Sequence, residues 1–153
     1  AIVIAITTIV FGLLLWYADA SAKQTKKIEN IGLKEAVIIG LAQAVAIIPG
    51  TSRSGITMTA GLMLGLDRES TAKFSFLLSI PIILGAGLFS VLGLLESDSK
   101  VNWNELLYGV AFSFVAAYLC IFLFLNWISR IGMLPFVIYR LVLGFVLLYI
   151  VLG

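Results

Sequence analysis

Long runs without a charged residue constrain this chain more than any other feature of its sequence. Each run approaches or exceeds the roughly 20 residues that cross a bilayer as a helix. The runs are 1–18, 74–95, 106–129 and 131–153, the last interrupted only by Arg140. Hydrophobic residues make up 61% of the 153 residues and charged residues only 12%, and one soluble core of this size could not cover so much apolar surface. We therefore predict an all-α fold, a polytopic transmembrane helical bundle.

The chain reads as a single membrane domain, 1–153, with four spanning helices and one broken element. We expect the spans at about 1–17, 70–95, 105–128 and 134–152. Between the first two spans lie two shorter apolar stretches, 33–48 and 55–66. An uncharged stretch of this length reaches only about 20 Å as a helix, whereas the hydrocarbon core is about 30 Å thick. We therefore predict a re-entrant helical hairpin, about 33–66, that enters and leaves on one side.

Charged residues sort onto two sides if the hairpin does not cross the membrane. Segments 19–34, 67–73 and 129–132 then share one side, and the opposite loop, 96–105, carries three acids and one lysine, Lys100. The excess of basic residues places the first side in the cytoplasm. Two full crossings would give the same distribution, so only length favours the hairpin. The basic residues are Lys23, Lys26, Lys27, Lys34, Arg68, Lys73 and Arg130; they are spread out and give no indication of nucleic acid binding.

Residues 49–57, PGTSRSGIT, which we call the signature segment, carry the polar chemistry of the hairpin. Pro49 and Gly50 break the helix, and the next helix begins with free N–H groups and partial positive charge, which suit a phosphate. Arg53 adds a permanent cation whose fork matches phosphate oxygens. Hydroxyl groups come from Ser52, Ser54 and Thr57. Because irregular backbone at membrane depth needs protein or water around it, we expect the segment to line a cavity.

A simple turn is the alternative interpretation of the segment, with Ser52 as a helix cap, Ser54 bonded to backbone and Arg53 reaching an interface. An arginine at membrane depth is costly unless it is paired, so we favour a ligand site. Arg140 interrupts the last span, with nine uncharged residues before it and thirteen after it. Reaching an interface from there would require an asymmetric helix. We expect Arg140 to contact the ligand or to tie the last span to the segment.

The stretch from Gln43 to Thr57, QAVAIIPGTSRSGIT, resembles the second signature of the bacterial undecaprenyl-diphosphate phosphatase family, the bacitracin-resistance proteins. FSFLLSIP at 74–81 and PFVIYR at 135–140 also resemble that family. The resemblance covers essentially the whole chain, but only the C-terminal half or so of a full member. It implies half of an inverted-repeat fold with two re-entrant hairpins, in the bacterial cytoplasmic (inner) membrane. It also implies hydrolysis of undecaprenyl diphosphate to undecaprenyl phosphate and inorganic phosphate, which recycles the cell-wall lipid carrier.

The resemblance assigns roles to individual residues. Ser52, Arg53 and Thr57 match catalytic residues at the diphosphate. The implied substrate-binding residues are Gly50, Thr51, Ser54, Gly55, Gln43 and Arg140. The implied partners are a polyprenyl diphosphate lipid and the bilayer, and a homodimer is left open.

One part of the family pattern is absent, namely a Glu-x-x-x-Glu helix followed by a Ser-rich loop that ends in Gly-His. The chain has no histidine, and no acid lies between Glu35 and Asp67. A general base, and ligands for a divalent cation (Mg²⁺ or Ca²⁺), would therefore belong to an N-terminal half, with no metal ligands in this chain. We expect 1–153 to bind phosphate weakly and to catalyse nothing alone.

Two other functions remain open from the sequence. A transporter or lipid flippase also uses broken helices whose ends bind anions near the middle of the membrane. A non-catalytic membrane scaffold is the third alternative, and it predicts that changing Arg53 to Ala leaves activity untouched.

Overall fold

Six α-helices and two short 3₁₀ helices make up the part of the chain that the computed structural model describes, residues 1–96 and 102–152. The α-helices are α1 (Ile2–Ser21), α2 (Leu33–Ala44), α3 (Arg53–Met63), α4 (Arg68–Glu96), α5 (Trp103–Ile131) and α6 (Leu134–Leu152). The 3₁₀ helices are Ile28–Asn30 and Val45–Ile47. Because these residues form helices and no strand, the predicted all-α class is confirmed.

Four of the described helices, α1, α4, α5 and α6, are long and apolar enough to cross a membrane. This confirms the predicted number of spans, with bounds that move by a few residues. Helix α1 continues to Ser21 rather than ending at 17. Helix α4 begins at Arg68 rather than 70, because the Asp67 carboxylate accepts a hydrogen bond from the Ser70 N–H at 2.7 Å and caps the helix. Of the predicted acidic loop, residues 97–101, with Asp98 and Lys100, lie outside the described residues.

Two short helices, α2 and α3, form the broken element. At the start of α2 the Glu35 carboxylate accepts a hydrogen bond from the Gly32 N–H at 3.2 Å. The 3₁₀ helix Val45–Ile47 and then Pro49 end it. Helix α3 begins at Arg53, two residues before the predicted 55, because the Ser52 hydroxyl accepts a hydrogen bond from the Gly55 N–H at 3.2 Å. The cap thus places Arg53 in the first turn of a helix and not in a loop.

Lys26 joins the beginning of α2 to the end of α3. Its ammonium Nζ lies 3.0 Å from Glu35 Oε1 in the first turn of α2. Its backbone N–H donates to Gly65 O at 2.9 Å, and its carbonyl accepts from the Asp67 N–H at 2.9 Å. The start of α2 and the end of α3 therefore lie next to each other, beside Lys26.

Beside Lys26, Asp19 joins the end of its own helix, α1, to the starts of α4 and α6. Its carboxylate accepts hydrogen bonds from Arg68 Nε at 2.6 Å, from Arg68 Nη2 at 3.0 Å, and from the Met133 N–H at 3.2 Å. The end of α1, the start of α4 and the start of α6 consequently meet here. We call this region, defined by Asp19, Lys26, Arg68 and Met133, the basic end.

A small apolar core lies close to the basic end. Its buried side chains are Leu15, Ala18, Met58, Leu62, Ala72, Ile128, Met133 and Val137. Helix α1 packs against both α6 and α3. Large apolar side chains along most of α5 are exposed, as is usual for a helix that faces lipid or further protein.

Candidate active site

The signature segment borders a cavity of about 650 Å³, as the sequence predicts. The segment contributes Gly50, Ser52, Ser54 and Gly55, and other polar residues of the wall are Thr8 on α1 and Tyr139 and Arg140 on α6. The apolar part of the wall consists of Ile4, Leu15, Met58, Phe76, Phe124, Met133, Phe136, Leu143 and the ring of Tyr139. The cavity thus combines a small polar corner with extended apolar walls.

The apolar walls lead from the signature segment to the basic end. Ile4 and Leu15 both line the cavity, and the eleven residue steps between them correspond to roughly 16 Å along α1. Phe124 closes one side, with its ring 5.6 Å from that of Phe76 and 4.8 Å from that of Phe136, both edge to face. The space is therefore long, and a cluster of three phenylalanine rings from three helices lines part of its wall.

The turn before α3 packs directly on α1. Thr7 Oγ1 lies 2.6 Å from Pro49 O, and Thr8 Oγ1 lies 3.3 Å from Gly50 O, so both hydroxyls can donate to the turn. Gly50 has a φ of +91°, and a Cβ there would overlap Thr7 Oγ1 and the Ile4 carbonyl oxygen. Only glycine combines this backbone conformation with so close an approach.

The beginning of α3 presents polar groups to the cavity. Ser52 has a φ of +66°, which is uncommon for a residue with a side chain and is a form of backbone strain that recurs at functional sites. Its hydroxyl lies 3.5 Å from that of Ser54. The first N–H groups of a helix have no acceptor within the helix and carry partial positive charge. This corner can accordingly receive an anionic oxygen.

Arg140 is buried, with 8% of its surface exposed, and it joins α6 to the turn. Nη2 donates to Gly50 O and to Thr51 O at 2.9 Å each, and Nε lies 3.4 Å from Thr8 O. Nη1 lies 2.8 Å from the position that a Cβ on Gly55 would occupy, so this nitrogen faces the first turn of α3. The expected tie between the last span and the segment is present, and no carboxylate within the described residues pairs with the guanidinium.

Arg53 differs from Arg140 in its surroundings. It is half-buried, and its Nη1 atom is buried without a hydrogen-bond acceptor among the described residues. No ion pair of Arg53 is found there either. Its side chain does not line the cavity, although the neighbouring Ser52 and Ser54 do. Arg53 is therefore a cation with spare hydrogen-bonding capacity beside the polar corner.

Three other predicted site residues do not line the cavity. Thr57 is 2% exposed, and its Oγ1 lies 2.7 Å from Ser75 Oγ on α4 and 3.0 Å from Arg53 O. Thr51 is fully buried, and its hydroxyl has no partner among the described residues. Gln43 lies near the end of α2 and, like the two threonines, does not line the cavity. Direct substrate contact by these three side chains stays a prediction.

Three residues outside the predicted set take part in the site. Thr7 and Thr8 hold the turn on α1, and Ser75 fixes the Thr57 hydroxyl. The threonines are the two hydroxyl residues within an otherwise apolar stretch of α1, 1–16, and that contrast is the signal that could have identified them. Ser75 offers no such signal, because serine bonds to its own helix backbone in many membrane spans.

The described residues do not fit a divalent cation. Within 1–96 and 102–152, no three His, Cys, Asp or Glu side chains lie close enough together to hold a metal ion. Among the described residues that line the cavity, none carries a carboxylate, the side-chain group that most often holds Mg²⁺ and Ca²⁺ in proteins.

Comparison with known proteins gives one family and several close relatives. The family described as bacitracin resistance protein BacA matches residues 1–146. The chain is 71% identical over 151 residues to an undecaprenyl-diphosphatase of Alteromonas mediterranea, an alignment that covers 99% of this chain and 57% of the relative. It is 65% identical over 142 residues to undecaprenyl-diphosphatase 1 of Pseudoalteromonas translucida, with 93% and 53% covered. It is 59% identical over 148 residues to an undecaprenyl-diphosphatase of Chromohalobacter salexigens, with 97% and 56% covered. The chain therefore spans just over half the length of these relatives.

Proposed function

The chain belongs to the bacitracin resistance protein BacA family, and from that premise we propose that the whole protein hydrolyses undecaprenyl diphosphate. The products are undecaprenyl phosphate and inorganic phosphate, so the reaction recycles the lipid carrier of cell-wall synthesis. The relatives that are 59–71% identical are named undecaprenyl-diphosphatase, and that name supports the proposal. This chain is part of a multi-pass membrane protein, and we propose that it resides in the bacterial inner membrane.

The single observation that carries the proposal is an excess of positive charge at the start of α3. Arg53 begins the helix, Arg140 faces its first turn, and neither has a carboxylate partner among the described residues. Two uncompensated cations beside an apolar cavity are costly. A diphosphate would offset that cost, because its oxygens accept charge-assisted hydrogen bonds from guanidinium groups and from helix N–H groups.

The apolar walls suit the other part of this substrate. The cavity extends about 16 Å from the polar corner towards the basic end, and its lining is mostly aliphatic and aromatic. A polyprenyl chain would be held there by burial of apolar surface. The diphosphate would then lie at the polar corner next to Ser52 and Ser54.

The reaction consumes water and breaks one bond. An oxygen nucleophile attacks the terminal phosphorus: either water, or a serine hydroxyl whose phosphoserine intermediate water then hydrolyses to inorganic phosphate and free serine. The bridging P–O bond breaks, and its electron pair stays on the oxygen of undecaprenyl phosphate. Arg53 and the first N–H groups of α3 would stabilise the negative charge on the transferring phosphoryl group, which is usually the largest catalytic contribution.

The proton acceptor for this step would come from outside residues 1–153. The chain has no histidine, and none of the described residues that line the cavity carries a carboxylate. Any divalent cation would likewise depend on carboxylates that this chain does not bring to the site. A homodimer also stays a prediction, which light scattering of the purified whole protein would test.

We further propose that α2 and α3 form a re-entrant hairpin in the membrane. Both ends of the pair lie beside Lys26. The turn between them contacts Thr8, and eleven residue steps of α1 separate Thr8 from Asp19. That distance is roughly 16 Å, about half of the 30 Å hydrocarbon thickness. Cysteine labelling tests this proposal, because a residue at the turn should react from the cytoplasmic side only.

Phosphate release from undecaprenyl diphosphate by the purified whole protein in detergent tests the proposed function. We expect release by the wild type and almost none by Arg53→Gln. A folded protein that releases no phosphate would contradict the proposal, and a transporter or flippase predicts that outcome. Residues 1–153 expressed alone should release none, and release from them would show that the proton acceptor lies within this chain.

A further inference from the structure

A second cavity, of about 420 Å³, lies between α4 and α5 and shares no lining residue with the first. Glu69 and Lys73 in the first two turns of α4 form one wall, and residues between Phe122 and Arg130 in the last turns of α5 form the other. Nothing in the proposed reaction uses this cavity.

The wall from α5 changes from apolar to polar along the helix. Phe122, Asn126 and Arg130 follow one another at four-residue intervals, so they form one stripe on the helix surface. Leu125 and Ser129 form a parallel stripe with the same order, apolar first and polar last. A ligand that fits these stripes has a hydrophobic part towards the centre of the span and a polar part at its end.

The polar mouth of the cavity carries a net positive charge. Lys73 Nζ lies 2.6 Å from Glu69 Oε1, so this pair is neutral. The Arg130 guanidinium has no hydrogen bond or ion pair with any of the residues that the structure describes. One cation in excess, together with the amide of Asn126 and the hydroxyl of Ser129, favours a singly charged anion with hydrogen-bonding oxygens.

The mouth also lies on the side of the molecule where basic residues collect. Helix α4 begins and α5 ends at this mouth. Arg68, the first residue of α4, and Met133, two residues after the end of α5, belong to the basic end. Phe122 at the opposite end of the cavity is 54% exposed, so the cavity opens sideways onto the apolar surface of the helices.

We propose that this cavity binds the headgroup of an anionic phospholipid of the surrounding bilayer. The phosphodiester contacts Arg130 and Lys73, the glycerol oxygens contact Asn126 and Ser129, and an acyl chain follows Phe122. Basic cavities between membrane helices on the cytoplasmic side are a known form of lipid recognition. The apolar end of the cavity favours a lipid over free phosphate. This inference is independent of the proposed reaction.

Native mass spectrometry of the whole protein in a neutral detergent tests the inference, with a short-chain phosphatidylglycerol as the probe and phosphatidylcholine of equal chain length as the reference. We expect preferential binding of phosphatidylglycerol. Arg130→Gln should weaken that binding about fivefold, the usual effect of one basic residue near a lipid surface. Arg130→Lys should retain most of it, and Glu69→Gln, which frees Lys73, should strengthen it.

Lys23→Gln is the matched control, since it removes one exposed positive charge from the basic side without touching the cavity. Equal loss in Lys23→Gln and Arg130→Gln would mean that only the general surface charge attracts the lipid, and it would overturn the inference. Equal binding of the two lipids would do the same. Glycerol 1-phosphate that displaces the lipid at comparable concentration would identify a site for free phosphate instead. Melting temperatures of the variants check that each is folded.

Discussion

The basic end and the signature segment both contain buried or half-buried arginines, but the two regions differ in whether a carboxylate compensates the positive charge. At the basic end Arg68 has a carboxylate partner, Asp19, at 2.6 Å, and Lys26 has Glu35 at 3.0 Å. At the segment Arg140 bonds to carbonyl oxygens, and Arg53 has a buried nitrogen with no acceptor in the described part of the chain. Positive charge is thus neutralised in one region and left uncompensated in the other.

This contrast distinguishes charged groups that stabilise the fold through ion pairs from arginines whose charge a bound anion would compensate. The charge of a paired arginine is already compensated, so an added anion gains little, whereas removal of the partner leaves an unpaired charge that destabilises the fold. An arginine without a counter-ion in apolar surroundings raises the free energy of the empty protein, and a bound anion lowers it again. Loss of Arg53 should therefore lower activity without lowering stability, and loss of a charge partner at the basic end should lower stability without lowering kcat.

The largest effect is expected for Arg53→Gln. Because the side chain would stabilise charge on the transferring phosphoryl group, kcat should fall about 10²–10³-fold. The melting temperature should stay the same or rise, since a buried donor without an acceptor is removed. Phosphate-release kinetics and thermal melting of the whole protein measure the two quantities. Loss of stability in parallel with activity would place Arg53 among the structural groups and break the contrast.

Arg140→Met should affect both quantities. Its loss leaves Gly50 O and Thr51 O without their donor, which costs about 1–3 kcal/mol of stability. Activity should fall as well, because the turn that precedes α3 is no longer held in place. Arg140→Lys sharpens the comparison, since it keeps the charge but not the forked geometry. Full recovery of activity by lysine would show that charge alone matters.

Asp19→Asn should give the reverse of the Arg53 result. The Arg68 guanidinium and the Met133 N–H lose a charged acceptor, and unfolding should become easier by about 1–3 kcal/mol. The kcat of the molecules that remain folded should stay unchanged, because Asp19 does not line the cavity. Thermal melting and activity normalised to folded protein are the measurements. A specific loss of kcat would mean that the basic end also acts in the reaction.

The smallest effect concerns pH and Glu35. The hydrogen bond from Lys26 lowers the pKa of Glu35 below its usual value. The ionised carboxylate then stabilises the fold at neutral pH, and this contribution fades as the pH falls below about 4.3 and through the lowered pKa. Melting of the wild type and Glu35→Gln should differ slightly at pH 7 and converge in acid. A difference that persists in acid would assign the effect to packing instead of charge.

The sequence predicts the spans and the break well, because both depend on local properties. Run length identifies α1, α4, α5 and α6, and Pro49 with Gly50 marks where helical backbone must stop. The predicted start of α3 is two residues too late. Either Ser52 or Ser54 could have capped the helix, and the sequence alone does not distinguish a capping serine from one bonded to nearby backbone. Side-chain capping is decided by the backbone conformation at Ser52, which the sequence does not specify.

The internal arrangement of the site depends on packing between helices, which the sequence does not contain. Thr57 is one turn beyond Arg53 in sequence, yet the rotation of α3 turns its hydroxyl to Ser75 on α4. Ser52 and Ser54 line the cavity for the same reason, and Arg53 does not. Whether Arg140 would meet a ligand or the chain itself depended on the position of α6 beside α1, and that position is set by the apolar contacts of both helices.

The three acceptors around Arg140 are all carbonyl oxygens, those of Thr8, Gly50 and Thr51. Every amino acid carries a backbone carbonyl group. The hydrogen bonds of Arg140 therefore depend on the position of the main chain and not on the identity of the side chains at the acceptor residues. A substitution of Thr51 that keeps this position of the main chain would therefore leave the acceptors of Arg140 in place. The reverse does not hold, because no other side chain offers the same fork of donors.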